Sequence, residues 1–311
     1  MKVNEQGFEA DIEASLLSAG GYTKGIAASY DPTNTPDGFD ASLGLWPGVL
    51  TAFLRQSQPE AWQRLTKLHG PAAVEAKLVK RVVTDLDQRG TLDVLRHGIT
   101  DSGVLLRLAF FRPASGLNPE AAARYALNRL TVTRQVHFST KNPALSIDIV
   151  LALNGLPVAT AELKEPVKGQ TFRDAIRQYR DDRDPREPLL RWKHRALVHF
   201  AVDTDEARMA TRLAGSGTRF LPFNQGRGNG AGNPDNPDGY KTAYLWETVW
   251  TRDRWMDVLQ RFLHLEKRVD SKTGKAREEI VFPRFHQLDA VTKLLGHARG
   301  HGPGQNYLVQ H

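Results

Sequence analysis

Apolar positions along the chain change period several times, and each change predicts a different element. Over residues 7–18, Glu9, Ile12, Glu13, Leu16 and Leu17 recur at helical spacing, and Gly20-Gly21 stops the pattern. Residues 30–45 are rich in Pro, Gly, Asp and Asn and predict loop. Helical patterns follow over 47–68 and 71–88, the second opened by Pro71 and carrying Val74, Leu78, Val82 and Leu86. From about Val104 to Leu163 the character changes. VLLRLAFF, RLTVTRQVHFS, LSIDIVLAL and LPVATAEL are β-branched and aromatic runs with turn residues between them, which predicts strands. Asn154-Gly155 lies between the last two and marks a hairpin. Residues 170–181 return to helical spacing, and ALVHFAV at 196–202 has strand length. This order predicts an α/β or α+β domain that ends near residue 210.

Residues 223–240 (FNQGRGNGAGNPDNPDGY) predict a long flexible loop. A helix over 250–265 would carry Trp255, Val258, Leu259 and Phe262 on one face, and VDSKTGKARE is a polar break. The last stretch starts at Ile280 and contains a predicted helix, 286–298; no internal repeat is visible. Apolar residues make up 40% and charged residues 25%, which describes a globular chain with a real core. The formal charge of +7 suits a polyanionic partner, because cations near phosphate release counterions. The chain has no cysteine, which excludes disulfides and thiolate metal sites and fits a cytoplasmic protein. The polar N-terminus is no signal peptide, and no apolar run approaches the roughly 18 residues of a membrane span.

The stretch SIDIVLALNGLPVATAELK carries the candidate chemistry. Glu162 and Lys164 stand two apart on one strand and share a face, while Asp148 lies on the preceding strand. Two carboxylates and the Leu163 backbone carbonyl can hold a hard cation through oxygen. Lys164 can orient or deprotonate a water and offset negative charge on a phosphorane, as phosphodiester hydrolysis requires. The plainer reading is a solvated hairpin face. Against it, Asp148 interrupts an apolar strand and Glu162 ends an apolar run, and charges so placed need a partner. Strand parity tests the site. A two-residue turn sets Asp148 opposite Ala161, facing away from Glu162. A three-residue loop, Leu153-Asn154-Gly155, sets it opposite Thr160 and diagonal to Glu162, with Gly155 left-handed. The expectation is that register or an equivalent bulge.

Asp148, Glu162 and Lys164 in this arrangement resemble the PD-(D/E)xK nuclease superfamily, with Ile147 where the proline of that name would stand. The resemblance implies a mixed α/β sheet flanked by helices, Mg²⁺ on the acidic pair and a lysine assisting the attacking water. It also implies a glutamate from the first helix, for which Glu9 and Glu13 (i, i+4) are equal candidates. In QTFRDAIRQYR, Gln178 and Tyr179 match a supporting Gln and Tyr, although that pattern sets them four apart. Neighbours on a helix point about 100° apart, which makes Gln178 the safer of the two. Arg173, Arg177, Arg180 and Arg183 form a basic run suited to DNA phosphate, or to a solvated helix. IVFPRFHQLDAV resembles the adenine-reading motif of superfamily 2 translocases, with Phe282, Arg284 and Gln287 as its nucleotide-binding residues, and QNYLVQH (Tyr307 to Val309) reads as the strand before a phosphate loop.

Taken in order, FEADIE, the D…NGLP…ELK hairpin, the Gln-bearing helix, PRFHQLDAV and NYLVQH resemble the R (restriction, motor) subunit of type I restriction–modification enzymes. The implied domains are an endonuclease over 1–210 with a helical insertion at about 46–100, a connector over 211–275, and the start of a RecA-like motor over 276–311, ending before its ATP-binding loop. The implied cofactors are Mg²⁺ and, in a full-length chain, ATP. The implied partners are double-stranded DNA and the modification and specificity subunits, with no membrane. Two alternatives stay open: another nuclease–helicase fusion of repair or mobile-element defence, and a catalytically inactive docking module. His137, His199 and His286 lack metal-ligand spacing, and Trp46 and Trp62 read as helix-packing residues.

Overall fold

The computed structural model describes residues 5–113, 118–166, 169–228, 230–269, 274, 276–302, 304 and 306–309. Helix α1 (Glu5–Ser18) forms where Phe8, Ile12 and Leu16 recur every four residues, and all three are fully buried. The chain then passes through Gly20-Gly21 into a two-residue strand, β1 (Thr23–Lys24). The single helix expected over 47–68 is two, α2 (Pro47–Ser57) and α3 (Pro59–His69). Pro59 has no N–H with which to continue a helical ladder, and its fixed φ suits a first turn instead. Helix α4 (Val74–Arg89) buries the predicted face of Val74, Leu78, Val82 and Leu86, and α5 (Thr91–His97) follows Gly90.

VLLRLAFF is a strand only at its start. β2 (Ile99–Asp101) and β3 (Val104–Leu106) form a separate two-stranded sheet against α3 and α4. Helix α6 (Pro119–Ala126), capped by the Asn118 side chain on the Ala121 amide, is short and buries only Tyr125, so periodicity did not announce it. The main sheet is built from β4 (Leu130–His137), β5 (Ser146–Leu153) and β6 (Leu156–Leu163), then, after α7 (Phe172–Asp181), from β7 (Val198–Val202), β8 (Ala207–Ala210) and β9 (Leu221–Pro222). With β1 it has seven strands in the order β1-β4-β5-β6-β7-β8-β9. β1 with β4 and β6 with β7 pair in parallel, and the other neighbours are antiparallel. All of β6 is buried, which explains its near-continuous apolar run: both faces of the sheet are covered.

The sheet and its core cluster continue past residue 210. β9 at Leu221–Pro222 still belongs to the sheet. Phe223, Tyr244, Trp246, Trp250, Trp255 and Leu259 lie in the same core cluster as Phe8 and Ile12. Phe200 on β7 meets Trp250 at 5.3 Å, Phe223 at 5.7 Å and Phe282 at 6.0 Å between ring centroids. Local period marks part of this segment as helical but does not say which core it joins; burial of the large rings against Phe8 and Phe200 ties it down. The predicted helix over 250–265 is α8 (Arg252–Asp257) followed by a wider turn at Val258–Phe262. β10 (His264–Val269) and β11 (Ala276–Val281) form a hairpin around the expected polar break, of which residues 270–273 and 275 lie outside the described residues. Helix α9 (Phe285–His301) covers the last predicted helix. The strand expected at Tyr307–Val309 is absent: these residues have no regular structure, and Leu308 is almost wholly exposed. Gln310 and His311 lie outside the described residues.

The architecture is mixed α/β, a seven-stranded mixed sheet flanked by helices. No helix among the described residues is long and apolar enough to cross a membrane.

Candidate active site

The β5–β6 turn is the two-residue Asn154-Gly155, with Leu153 opposite Leu156; the three-residue loop is not formed. Asn154 (φ 52) and Gly155 (φ 83) are both left-handed, as a type I′ turn requires. That turn alone would leave Asp148 facing away from Glu162. A bulge restores the face. Ala152 pairs with Pro157 but Leu151 with Ala159, so Val158 is the extra residue. Pro157 cannot donate to the ladder, which is where such irregularities settle. Ile149 then pairs with Ala161, and the next step sets Asp148 against Glu162. The equivalent bulge is therefore present, in β6 rather than in the turn.

The turn is locked from outside. Asn154 is fully buried; its Oδ1 accepts from the Arg129 amide (2.7 Å), and its Nδ2 donates to Leu108 O (2.8 Å) and Asn128 Oδ1 (3.0 Å). Gly155 lies under α2, where its carbonyl accepts from the Trp46 amide at 2.9 Å. A Cβ there would stand 2.6 Å from Trp46 O and 2.8 Å from Leu50 N.

At the other end of the same strands the buried groups are charged. Asp148 is 7% exposed and Glu162 is not exposed at all. Asp148 Oδ2 accepts the Leu163 amide at 2.7 Å. Glu162 Oε1 accepts from Arg183 Nε at 2.6 Å, while its Oε2 has no hydrogen-bond partner among the described residues. Burial and the neighbouring Asp148 charge push the Glu162 carboxyl well above its ordinary range, and Arg183 opposes them. Two carboxylates at close range are stable only with a proton or a cation between them.

Geometry also separates the two helix glutamates. Glu13 Oε2 is paired with Lys24 Nζ (3.3 Å) and Arg134 Nη1 (3.4 Å). Glu9 Oε2 shares Arg134 (Nε, 3.3 Å), but its Oε1 reaches the site: Gln135 Nε2 donates to Glu9 Oε1 (2.8 Å) and to Asp148 Oδ1 (3.2 Å). Burial first, then the Asp148 charge, raises the Glu9 pKa. Lys164 is buried beyond Glu162, and its amide donates to Val202 O at 2.9 Å, continuing the β6–β7 pairing. The donors gathered here are carboxylate and carbonyl oxygens, a hard set that fits Mg²⁺. Among the described residues no three His, Cys, Asp or Glu side chains form a ready-made cage. A site here would draw on Asp148, Glu162 and the Leu163 carbonyl, with Glu9 beside them.

Helix α7 turns Tyr179, rather than Gln178, toward the sheet. A capping box of Thr171 and Asp174 starts the helix and sets its rotation, so Ala175 and Tyr179 face the sheet and Gln178 is only half-buried. The Tyr179 hydroxyl lies 2.8 Å from Thr160 Oγ1, which lies 2.8 Å from His199 Nδ1. Burial lowers the His199 pKa to about 3, so the ring is neutral. The basic run divides as well. Arg173 and Arg177 are exposed, Arg180 donates to Thr218 O (2.8 Å), and Arg183 is buried on Glu162 and Phe138. Arg183 therefore belongs to the site and not to a DNA-facing surface. The Phe282 ring packs among Phe200, Phe223 and Trp255. Gln287 Oε1 accepts the Arg284 amide at 2.9 Å and caps α9.

Sequence reading missed Gln135 and the place of Arg183 in the site. Neither sits at a motif position; a polar residue inside the apolar run of β4 was the one available sign of Gln135. No curated protein matches the chain. The family model described as type I restriction enzyme R protein N terminus matches residues 13–218, a span that holds Asp148, Glu162, Lys164, α7 and most of the main sheet. With more than half of its length matched, the chain belongs to the type I restriction enzyme R protein N-terminus family.

Proposed function

We propose that this chain is the nuclease part of a type I restriction enzyme's motor subunit and cleaves phosphodiester bonds of double-stranded DNA with Mg²⁺. The observation that carries this reading is the bulged pairing that sets Asp148 against Glu162 inside the protein, with the Glu162 carboxylate wholly buried beside it. Asp148, Glu162 and the Leu163 carbonyl would hold Mg²⁺, which supplies Lewis-acid polarisation of the phosphate and a water of lowered pKa. Lys164, two residues along the strand, orients that water and offsets the charge that develops on the phosphorus oxygens. Arg183 holds Glu162 in place and keeps part of its charge balanced before the cation arrives. Tyr179 fixes β6 from below through Thr160. Arg173 and Arg177 contact DNA phosphate. DNA and the modification and specificity subunits are its partners in the enzyme, and α9 leads into an ATP-driven motor in which the Gln287 amide reads adenine.

The test is cleavage of supercoiled plasmid by the assembled enzyme with ATP and Mg²⁺. Asp148→Ala and Lys164→Ala should each lower the cleavage rate by about 10²-fold or more with ATP hydrolysis retained. Cleavage at the wild-type rate in both variants sinks the site.

A further inference from the structure

Gln135 sits inside β4 with φ 51, in the left-handed region that an L side chain rarely enters. The β4–β5 ladder pairs Arg134 with Ile149 and Val136 with Ile147, and skips the step between them, where Gln135 stands against Asp148. The side chain is fixed at three points. Its Nε2 donates to Glu9 Oε1 at 2.8 Å and to Asp148 Oδ1 at 3.2 Å, and its Oε1 accepts from Ser146 Oγ at 2.7 Å. The Ser146 hydroxyl, bonded at the oxygen, leaves the NH₂ end to the carboxylates. Backbone strain of this kind persists only where the surroundings impose it.

An amide suits this position for a physical reason. Glu9 and Asp148 are carboxylates bonded to the same amide, and their like charges repel. One NH₂ group offers two donors, one for each carboxylate, without adding a charge that would compete with a cation. We infer that Gln135 is a positioning residue: its amide holds Glu9 and Asp148 at the spacing that captures a divalent cation. The inference rests on the nuclease reading above and extends it to Glu9, which the amide ties to the metal-binding carboxylate.

Glycine adopts φ 51 without strain. Gln135→Gly therefore removes the amide while relieving the backbone, which separates positioning from folding. The experiment follows Mn²⁺ binding to the 311-residue chain, free of DNA and nucleotide, by loss of the free-ion paramagnetic resonance signal. Wild type, Gln135→Gly, Gln135→Asn and Asp148→Ala are compared, with the Tm of each. Gln135→Gly should weaken binding by about 10- to 100-fold, the usual effect of losing a residue that orients a metal ligand, with Tm equal to or above wild type. Gln135→Asn should fall between, since its shorter amide reaches one carboxylate but not both. In the assembled enzyme the Mg²⁺ concentration for half-maximal cleavage should rise by the same factor while ATP hydrolysis is unchanged. Wild-type binding by Gln135→Gly, with binding lost in Asp148→Ala, overturns the inference and leaves the nuclease site standing. Wild-type binding by Asp148→Ala removes the site and the inference together. A lower Tm in Gln135→Gly shows a structural role and also overturns the inference.

Discussion

The two ends of the β5–β6 hairpin bury polar groups in opposite ways. At the turn, Asn154 is neutral and its amide is matched by three neighbours, while Gly155 is clamped beneath α2. At the open end, Asp148 and Glu162 are like charges out of water, and one Glu162 oxygen is unmatched among the described residues. Buried polar groups that are fully bonded specify a structure, whereas partly bonded ones cost free energy and persist where function needs them. The turn end thus holds the register, and the bulge at Val158 converts that register into a shared face for the carboxylates.

Substitutions at the turn should therefore cost stability, and changes at the open end should cost chemistry. The largest stability effect is expected for Gly155→Ala, about 3 kcal/mol, from a left-handed φ combined with backbone overlap on Trp46 and Leu50. Denaturant unfolding measures it, and a loss below about 1 kcal/mol would show that α2 yields. Asn154→Ala should come next, about 2 kcal/mol, because it strands the Arg129 amide and the Leu108 carbonyl. Asp148→Ala, by contrast, should cost less, because the stranded Leu163 amide is offset by removal of a like charge beside Glu162; a loss as large as that of Asn154→Ala would erase the contrast between the two ends.

The pH dependence sharpens the same contrast. Glu9 and Glu162 have pKa values raised above the ordinary 4.5, so the folded state keeps protons that the unfolded state releases. Metal-free stability should then fall as pH rises from 4.5 toward the raised pKa values, by about 1.4 kcal/mol per pH unit for each group in its window. His199 acts in the other direction. Its pKa is lowered from 6.5 to about 3, so its contribution is lost as pH falls through that range. The two windows overlap above 4.5, and the carboxylate part is read as the difference between chelator-treated and Mg²⁺-saturated protein at each pH. An identical pH profile in the two conditions would mean that no cation enters among these carboxylates. The smallest effect is expected at the surface of α7. Arg173→Glu with Arg177→Glu should leave Tm unchanged and reduce the salt slope of DNA affinity by about two, one for each phosphate no longer neutralised. An unchanged slope would remove this face of α7 from the DNA path.

Much of the fold was legible wherever one residue's environment repeats at a short period. Ile12 and Leu16 marked the buried face of α1, Val74 to Leu86 that of α4, and the β-branched runs marked β4 to β7. How the segment after residue 210 attaches was not legible, because Phe223, Trp246, Trp250 and Phe282 are held by packing against Phe8 and Phe200, far away along the chain. In the site, Asp148, Glu162 and Lys164 stood out because charges interrupted apolar strands. The choice between Glu9 and Glu13 did not, since both lie on one helical face and only the approach of α1 to β4 decides which one Gln135 reaches.

The amino-acid sequence by itself marked the buried faces of α1 and α4, the strands β4 to β7 and a hairpin at Asn154-Gly155, because propensity and periodicity are local properties of the chain. Tertiary structure alone decided the bulge at Val158, the inward turn of Tyr179 and Arg183, and the link from Glu9 through Gln135 to Asp148. Each of these depends on strand register or helix rotation. Both are set by the whole core, and a shift of one residue in either carries a side chain to the opposite face.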